Sequence, residues 1–246
     1  MGEQDWGDLG DSLSTSSLAR GVTGALTGPA GGNGFEYAYN SLDATVTGAH
    51  GKFVDLTNFN PTGTLLTVPD GGGSVRGCVA RVSSPGATGM SPMLFFCAQG
   101  GGSPTVNDYA YLLGLSDANP YEIVLAKAPI VSGLVSSDSN VTILRTSSSQ
   151  YNIGDGNWHH LRLDAIVQPN GDVLLQVFEN DLSVNPIGTA PSWQAIAGMS
   201  DFIDDALQIN TGSAPLWGGC CGYAFAVSEA LSRRGSFDAI EAYRTT

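Results

Sequence analysis

Glu179, Asn180 and Asp181 place two carboxylates at positions i and i+2. On a β-strand these positions project to the same face, so an E-x-D-x-x-E run would line a cleft with acids able to cleave a glycosidic bond. Here the position for the third acid holds Val184, and Glu179 and Asp181 fall where a strand gives way to a loop. Loss of the acid/base member removes that mechanism. The chain therefore reads as a non-enzyme, with a glycoside hydrolase kept as a minor alternative. His159 and His160 are adjacent, so on a strand they face opposite ways and share no metal. His159 reads as a structural ring that needs a hydrogen-bond partner. His50 is isolated, and no Ser-His-Asp or Cys-His spacing is visible.

Binding chemistry has better candidates. Trp193, Trp217 and Tyr109 lie in or beside expected loops, where an aromatic face can stack on a sugar. The competing role for each is core or interface packing.

The length of 246 residues suits one large all-β unit and is enough to bury a full core without staples. Hydrophobic residues make up 42% and charged residues only 13%, against a usual charged share of about 25%. The 33 glycines suit a chain of short strands and tight turns. The formal charge is −13, with 10 Lys+Arg against 23 Asp+Glu. Nucleic-acid binding is disfavoured, because it requires clustered basic residues to displace counterions. No apolar run is long enough to cross a membrane as a helix. MGEQDWGDLGDSL is acidic and does not read as a signal peptide. Cys78 and Cys97 lie in apolar runs and read as buried thiols, while Cys220 and Cys221 are adjacent. A bond between neighbours on a strand would need a strained turn, and the spacings suggest no disulfide framework, so all four are expected reduced.

The elements that must position these residues are strands. FEYAYNSL (35–42), SVRGCVARVS (74–83) and YEIVLAKA (121–128) alternate in strand fashion, TGAHGKFVDLTNF (47–59) reads as a strand pair, and VTILRTS as a further strand. SPMLFFCAQ (91–99) is continuously apolar, as a strand buried on both faces would be. In 155–181 two runs flank Pro169-Asn170-Gly171-Asp172. Asn-Gly there predicts a hairpin with a type I′ turn. Short helical pieces are expected at Ser14–Arg20 and near Asp201–Leu207. Residues 1–34 read as an N-terminal docking arm and loop, anchored by Trp6 and Leu9, ahead of a sandwich over 35–246. The strand count and the absence of a long amphipathic helix predict an all-β, two-sheet antiparallel β-sandwich.

Several of these residues also carry a family resemblance. Trp158, His159, Leu161, Leu163 and Gly171 in the hairpin match a W-H-x-h-x-h strand followed by a turn and second strand. Gly218, Gly219, Gly222 and Phe225 match a late glycine-rich strand, and Phe237, Asp238 and Ile240 a closing one. Residues 35–246 thereby resemble concanavalin A-like jelly rolls, especially laminin-G-like and pentraxin-like domains. That resemblance implies a lectin-like sandwich, carbohydrate binding and Ca²⁺ held by loop oxygens. Asp204, Asp205 and Asn210 are the oxygen-rich group for such an ion, with Asp108 and Asp117 as further loop candidates. Ordinary turn and cap roles compete for each. The whole chain, through DWGDL, the hairpin and FIDDALQINTGS, also resembles uncharacterised virion proteins of tailed bacteriophages. That implies a structural or adhesive protein of the tail, baseplate or capsid surface, assembled in the host cytoplasm. Its partners would be other virion proteins, as a homo-oligomer, and possible host glycans.

Overall fold

A computed structural model describes residues 6–9, 17–21, 35–40, 48–54, 72–81, 90–98, 108–115, 122–131, 134–135, 141–148, 157–208, 211–217, 220–227 and 233–244. They form β1 (Trp6–Leu9), β2 (Ser17–Gly21), β3 (Phe35–Asn40), β4 (Gly48–Val54), β5 (Gly72–Arg81), β6 (Met90–Ala98), β7 (Asp108–Leu115) and β8 (Ile123–Val131). The chain continues through β9 (Leu134–Val135), β10 (Thr142–Thr146), β11 (Trp158–Val167), β12 (Val173–Asn180), β13 (Trp193–Ala195), β14 (Phe202–Asp204), β15 (Cys220–Val227) and β16 (Arg233–Arg244). No helix occurs among the described residues.

The strands make two antiparallel sheets. The first runs β1-β4-β15-β6-β7-β8-β10, with β9 paired to β4 and β8. The second runs β13-β12-β11-β5-β16-β3-β2, with β14 paired to β12. The alternation in the sequence explains how they stack. In β12, Val173, Leu175 and Val177 are buried while Leu174, Gln176 and Phe178 between them are half-buried. With Val75, Val79, Leu161 and Leu163 they meet Leu94, Phe96, Tyr111, Leu113, Ile123 and Leu125 from the first sheet. Each such aliphatic or aromatic side chain contributes about 1.5–3 kcal/mol by leaving water. Met93 to Cys97 are buried without a break, as the apolar run predicts for a strand inside its sheet.

Several local details differ from the expectations. Gly171 has φ 92°, but Asn170 is not among the residues of positive φ, so the turn is not type I′. Gly171 N–H donates to the Gln168 carbonyl at 2.9 Å, and Gln168 N–H to the Asp172 carbonyl at 2.8 Å. This is a three-residue loop, a type I turn closed by a left-handed glycine. The reason is Pro169, which has no N–H to close a two-residue turn on the Asp172 carbonyl and whose fixed φ near −65° suits the second position of a type I turn. The reversal between paired strands itself stands where the sequence puts it.

Two segments of the expected docking arm pair into the sheets. Trp6–Leu9 lies against β4, with Trp6 opposite Val54 and Leu9 opposite Gly51. Ser17–Gly21, expected as part of a helical piece, is a strand paired with β3. An isolated helix of so few residues is marginal, whereas a sheet edge offers partners for every other backbone group. Likewise Phe202–Asp204 is a strand on β12 rather than a helical turn. Within 47–59 only Gly48–Val54 is described, as a single strand.

Candidate functional site

The inner face of the β11–β12 hairpin is apolar along most of its length and turns polar at one end. On β11 the buried series Ala165, Leu163, Leu161 ends in His159, and on β12 Val173, Leu175, Val177 gives way to Glu179 and then Asp181. A groove of about 590 Å³ opens there. Asn157, Trp158, Glu179, Asp181, Ser183 and Gln194 are among its lining residues. Trp158 and Glu179 are half-buried, and the other four are exposed.

Hydrogen bonds hold this wall in place. Glu179 Oε1 accepts from His159 Nδ1 at 2.9 Å, so the adjacent strand aims the carboxylate. Asp181 Oδ1 accepts from Ser183 N at 2.9 Å and Ser183 Oγ at 2.6 Å. The Ser183 hydroxyl, then its amide, holds the Asp181 carboxyl below the usual carboxylate range. Buried Asn180 pins the following loop from within, donating to the Asn185 carbonyl at 2.9 Å and accepting from Ser192 N at 2.9 Å. That loop returns as β13, which places Gln194 opposite Glu179. Glu179 and Asp181, the sequence's i, i+2 carboxylates, thus line one groove, whereas Val184, at the third position, is 70% exposed.

The three aromatic candidates do not share a site. Trp193 is half-buried on β13, opposite Asn180. Its ring lies 4.7 Å from that of His160 and beneath the Arg162 guanidinium, 5.6 Å from it. Arg162 also covers Phe178 at 5.1 Å and pairs with Asp164. Trp217 stands at the opposite end of the hairpin, about 23 Å along β12 at the usual strand rise. Its Nε1 donates to the Gly171 carbonyl at 2.7 Å, and its ring packs against the core. Trp217 therefore fastens the hairpin tip. Tyr109 also packs on the core, its ring and hydroxyl 3.6 Å from where a side chain at Gly212 would begin.

Of the expected Ca²⁺ group, Asp204 is engaged in a buried ion pair. Asp204 is 1% exposed, and its cation is Lys127, whose Nζ lies 2.6 Å from Oδ2 and is itself fully buried. Lys127 also donates to Thr211 Oγ1 at 3.0 Å and to the carbonyls of Ser213 and Ala214 at 3.0 and 2.8 Å. Tyr111 donates to Asp204 Oδ2 at 2.6 Å, and Thr211 to Oδ1 at 2.8 Å. The Asp204 carboxylate is thus neutralised by an ammonium. Asp205 is engaged elsewhere, accepting from Leu207 N and Gln208 N in a local turn. Asn210 and Asp117 lie outside the described residues, and Asp108 begins β7. No group of three or more metal-ligating acids, histidines or cysteines occurs among the described residues.

No protein-family model and no curated protein matches this chain. Among solved structures it is similar to the Ca²⁺/Man3GlcNAc-bound exoplasmic/lumenal domain of VIP36. Identity there is 10% over 85% of this chain and 79% of that one, with TM-score 0.46. It is also similar to the marine PL-14 alginate lyase from Aplysia kurodai (9% identity, 87% and 84% covered, TM-score 0.45). A third is the CBM2 module of the evolved Dit of Lactobacillus casei BL23 phage J-1 (10% identity, 85% and 77% covered, TM-score 0.38). A sugar-bound domain and a lyase stand side by side here, so function must be read from this chain's own residues.

Sequence reasoning missed Asn157, Trp158, Ser183 and Gln194 as lining residues. Trp158 carried a signal as the first residue of the hairpin, but it was absorbed into the family pattern. Gln194 carried none, because only the return of the loop as β13 brings it to Glu179.

Proposed function

We propose that this protein is a carbohydrate-binding, lectin-like β-sandwich that holds glycans in the groove at the polar end of the β11–β12 hairpin, without catalysing their cleavage. The observation that carries this reading is the grouping of an indole, Trp158, with amides, carboxylates and a hydroxyl around a groove of about 590 Å³. That volume is within the range of small-molecule sites, about 300–1,000 Å³. A sugar presents hydroxyls that donate to carboxylates and accept from amides, and C–H faces that pack on aromatic rings. Asp181 and Glu179 supply acceptors, Asn157 and Gln194 both donors and acceptors, and Trp158 the ring. A glycosidase needs one carboxyl held protonated as a general acid. The position that would hold that acid in an E-x-D-x-x-E run is Val184.

The setting we propose is adhesive, in the tail, baseplate or capsid surface of a tailed-phage virion. Residues 1–34, with Trp6 and Leu9, would there contact neighbouring subunits of a homo-oligomer. The support for this setting is the resemblance of the sequence.

The test is a glycan array followed by titration calorimetry of the wild type and of Asn157→Ala/Gln194→Ala. Both positions are exposed, so the fold is expected to hold. Loss of at least tenfold in affinity with an unchanged melting curve supports the groove. Absence of any glycan ligand, or full affinity in the variant, overturns it. Detection of the chain by mass spectrometry in purified virions tests the setting separately.

A further inference from the structure

Lys127 on β8 and Asp204 on β14 are 77 positions apart and belong to different sheets, yet Nζ lies 2.6 Å from Oδ2. Both residues are buried, so the pair carries the desolvation cost of two ions, which an uncharged product would not. Four acceptors crowd Nζ: Asp204 Oδ2, Thr211 Oγ1, and the carbonyls of Ser213 and Ala214. An ammonium has three protons, so one of these contacts has none of its own. The Asp204 carboxyl is met in turn by two hydroxyls. Tyr111 donates to Oδ2 at 2.6 Å and Thr211 to Oδ1 at 2.8 Å.

We propose that Lys127 and Asp204 condense into an isopeptide bond, an amide from Lys127 Nζ to Asp204 Cγ that joins the two sheets covalently. The chain folds as the ion pair, and the bond forms afterwards inside the closed sandwich. Contact between the two groups makes the reaction unimolecular. Burial keeps bulk water from reversing it.

The step begins when one ammonium proton passes to Asp204 Oδ1, leaving a neutral amine and a neutral carboxylic acid. Desolvation favours this exchange. It pulls the Lys127 ammonium below its ordinary range, against the opposing hydrogen bond and charge of Asp204. The Thr211 hydroxyl then turns to the Ser213 carbonyl, 3.2 Å away. The two remaining N–H groups stay on the Ser213 and Ala214 carbonyls, at 3.0 and 2.8 Å, and the lone pair faces Asp204. Nζ attacks Cγ, and negative charge develops on Oδ2, where the Tyr111 hydroxyl already donates. Burial, then the Asp204 charge, holds this phenol above its ordinary range, so it keeps its proton. A second proton passes from Nζ to Oδ1, which leaves as water while the Cγ–Oδ2 double bond re-forms. One ammonium and one carboxylate become one amide and one water, with no oxidant or reductant.

The experiment uses the full chain, refolded from urea and incubated at pH 7, with intact mass followed over time under denaturing conditions. The expected result is a growing species about 18 Da, one water, below the mass of the sequence. Its digest contains a branched peptide joining Lys127 to Asp204. The same chain held in urea keeps the full sequence mass, because the reaction needs the folded contact. A folded protein that retains the sequence mass after prolonged incubation overturns the proposal. So does a loss of water with Lys127 and Asp204 in separate, unlinked peptides, or equal formation of the species in urea.

Discussion

Lys127→Met should be among the most damaging single substitutions in this protein. The ammonium is fully buried and meets four acceptors: Asp204, Thr211, and the carbonyls of Ser213 and Ala214. Methionine keeps nearly the same volume, so packing is a minor part of the loss. What remains is the Asp204 carboxylate, 1% exposed and without its countercharge. Removing one partner of a buried ion pair costs about 3–5 kcal/mol. For a domain of this size each kcal/mol moves the midpoint by about 2–4 °C, so the melting temperature should fall by roughly 6–20 °C. The assay is thermal and urea unfolding followed by circular dichroism at pH 7. Lys127→Met/Asp204→Leu should recover much of the loss, because an apolar pair leaves no orphaned charge. A single-variant cost within about 0.5 kcal/mol, as at an ordinary surface position, would refute the buried-pair reasoning.

Burial, then the Asp204 charge and the hydrogen bond to it, pushes the Tyr111 phenol well above its ordinary range. Because the folded form keeps this proton when the unfolded chain has lost it, stability should fall as pH rises past about 10. Followed at 295 nm, one of the 8 tyrosines should stay silent until the fold is lost, and complete titration of a still-folded protein would contradict this. Two glycines separate strain from clash. At Gly188, φ 94°, an added Cβ meets nothing within 4 Å, whereas at Gly198, φ 84°, it would lie 2.4 Å from Ser148 N. Gly188→Ala should cost about 1–2 kcal/mol from its left-handed backbone alone, and Gly198→Ala distinctly more, measured by urea unfolding. Equal costs would remove the role of the Ser148 backbone.

The buried Lys127–Asp204 contact ties β8 of the first sheet to β14 of the second. A lysine buried inside the β-sandwich changes what an acidic residue at a strand end means. Asp204 looks like a metal ligand until its neighbour 77 positions away is known. The remaining polar end of the inner face, by contrast, stays open to a ligand.

Local pattern alone was enough for the strands of the core. Alternation of apolar residues is a property of neighbours in sequence, and period two has only one way to bury Val173, Leu175 and Val177 together. The reversal was equally legible, but the approach of His159 to Glu179 was not, because the two-residue turn expected there would set Arg162 opposite Glu179 in place of Leu161. Turn type escaped only because Pro169 overrode Asn-Gly. Tertiary structure decided what depends on residues far apart. It assigned Lys127 to Asp204, brought Gln194 to Glu179, and sent Trp193 and Trp217 to opposite ends of a strand. Spacing carries no information about such meetings, because loop length hardly restricts where a chain returns. The packing of sheet on sheet supplies it.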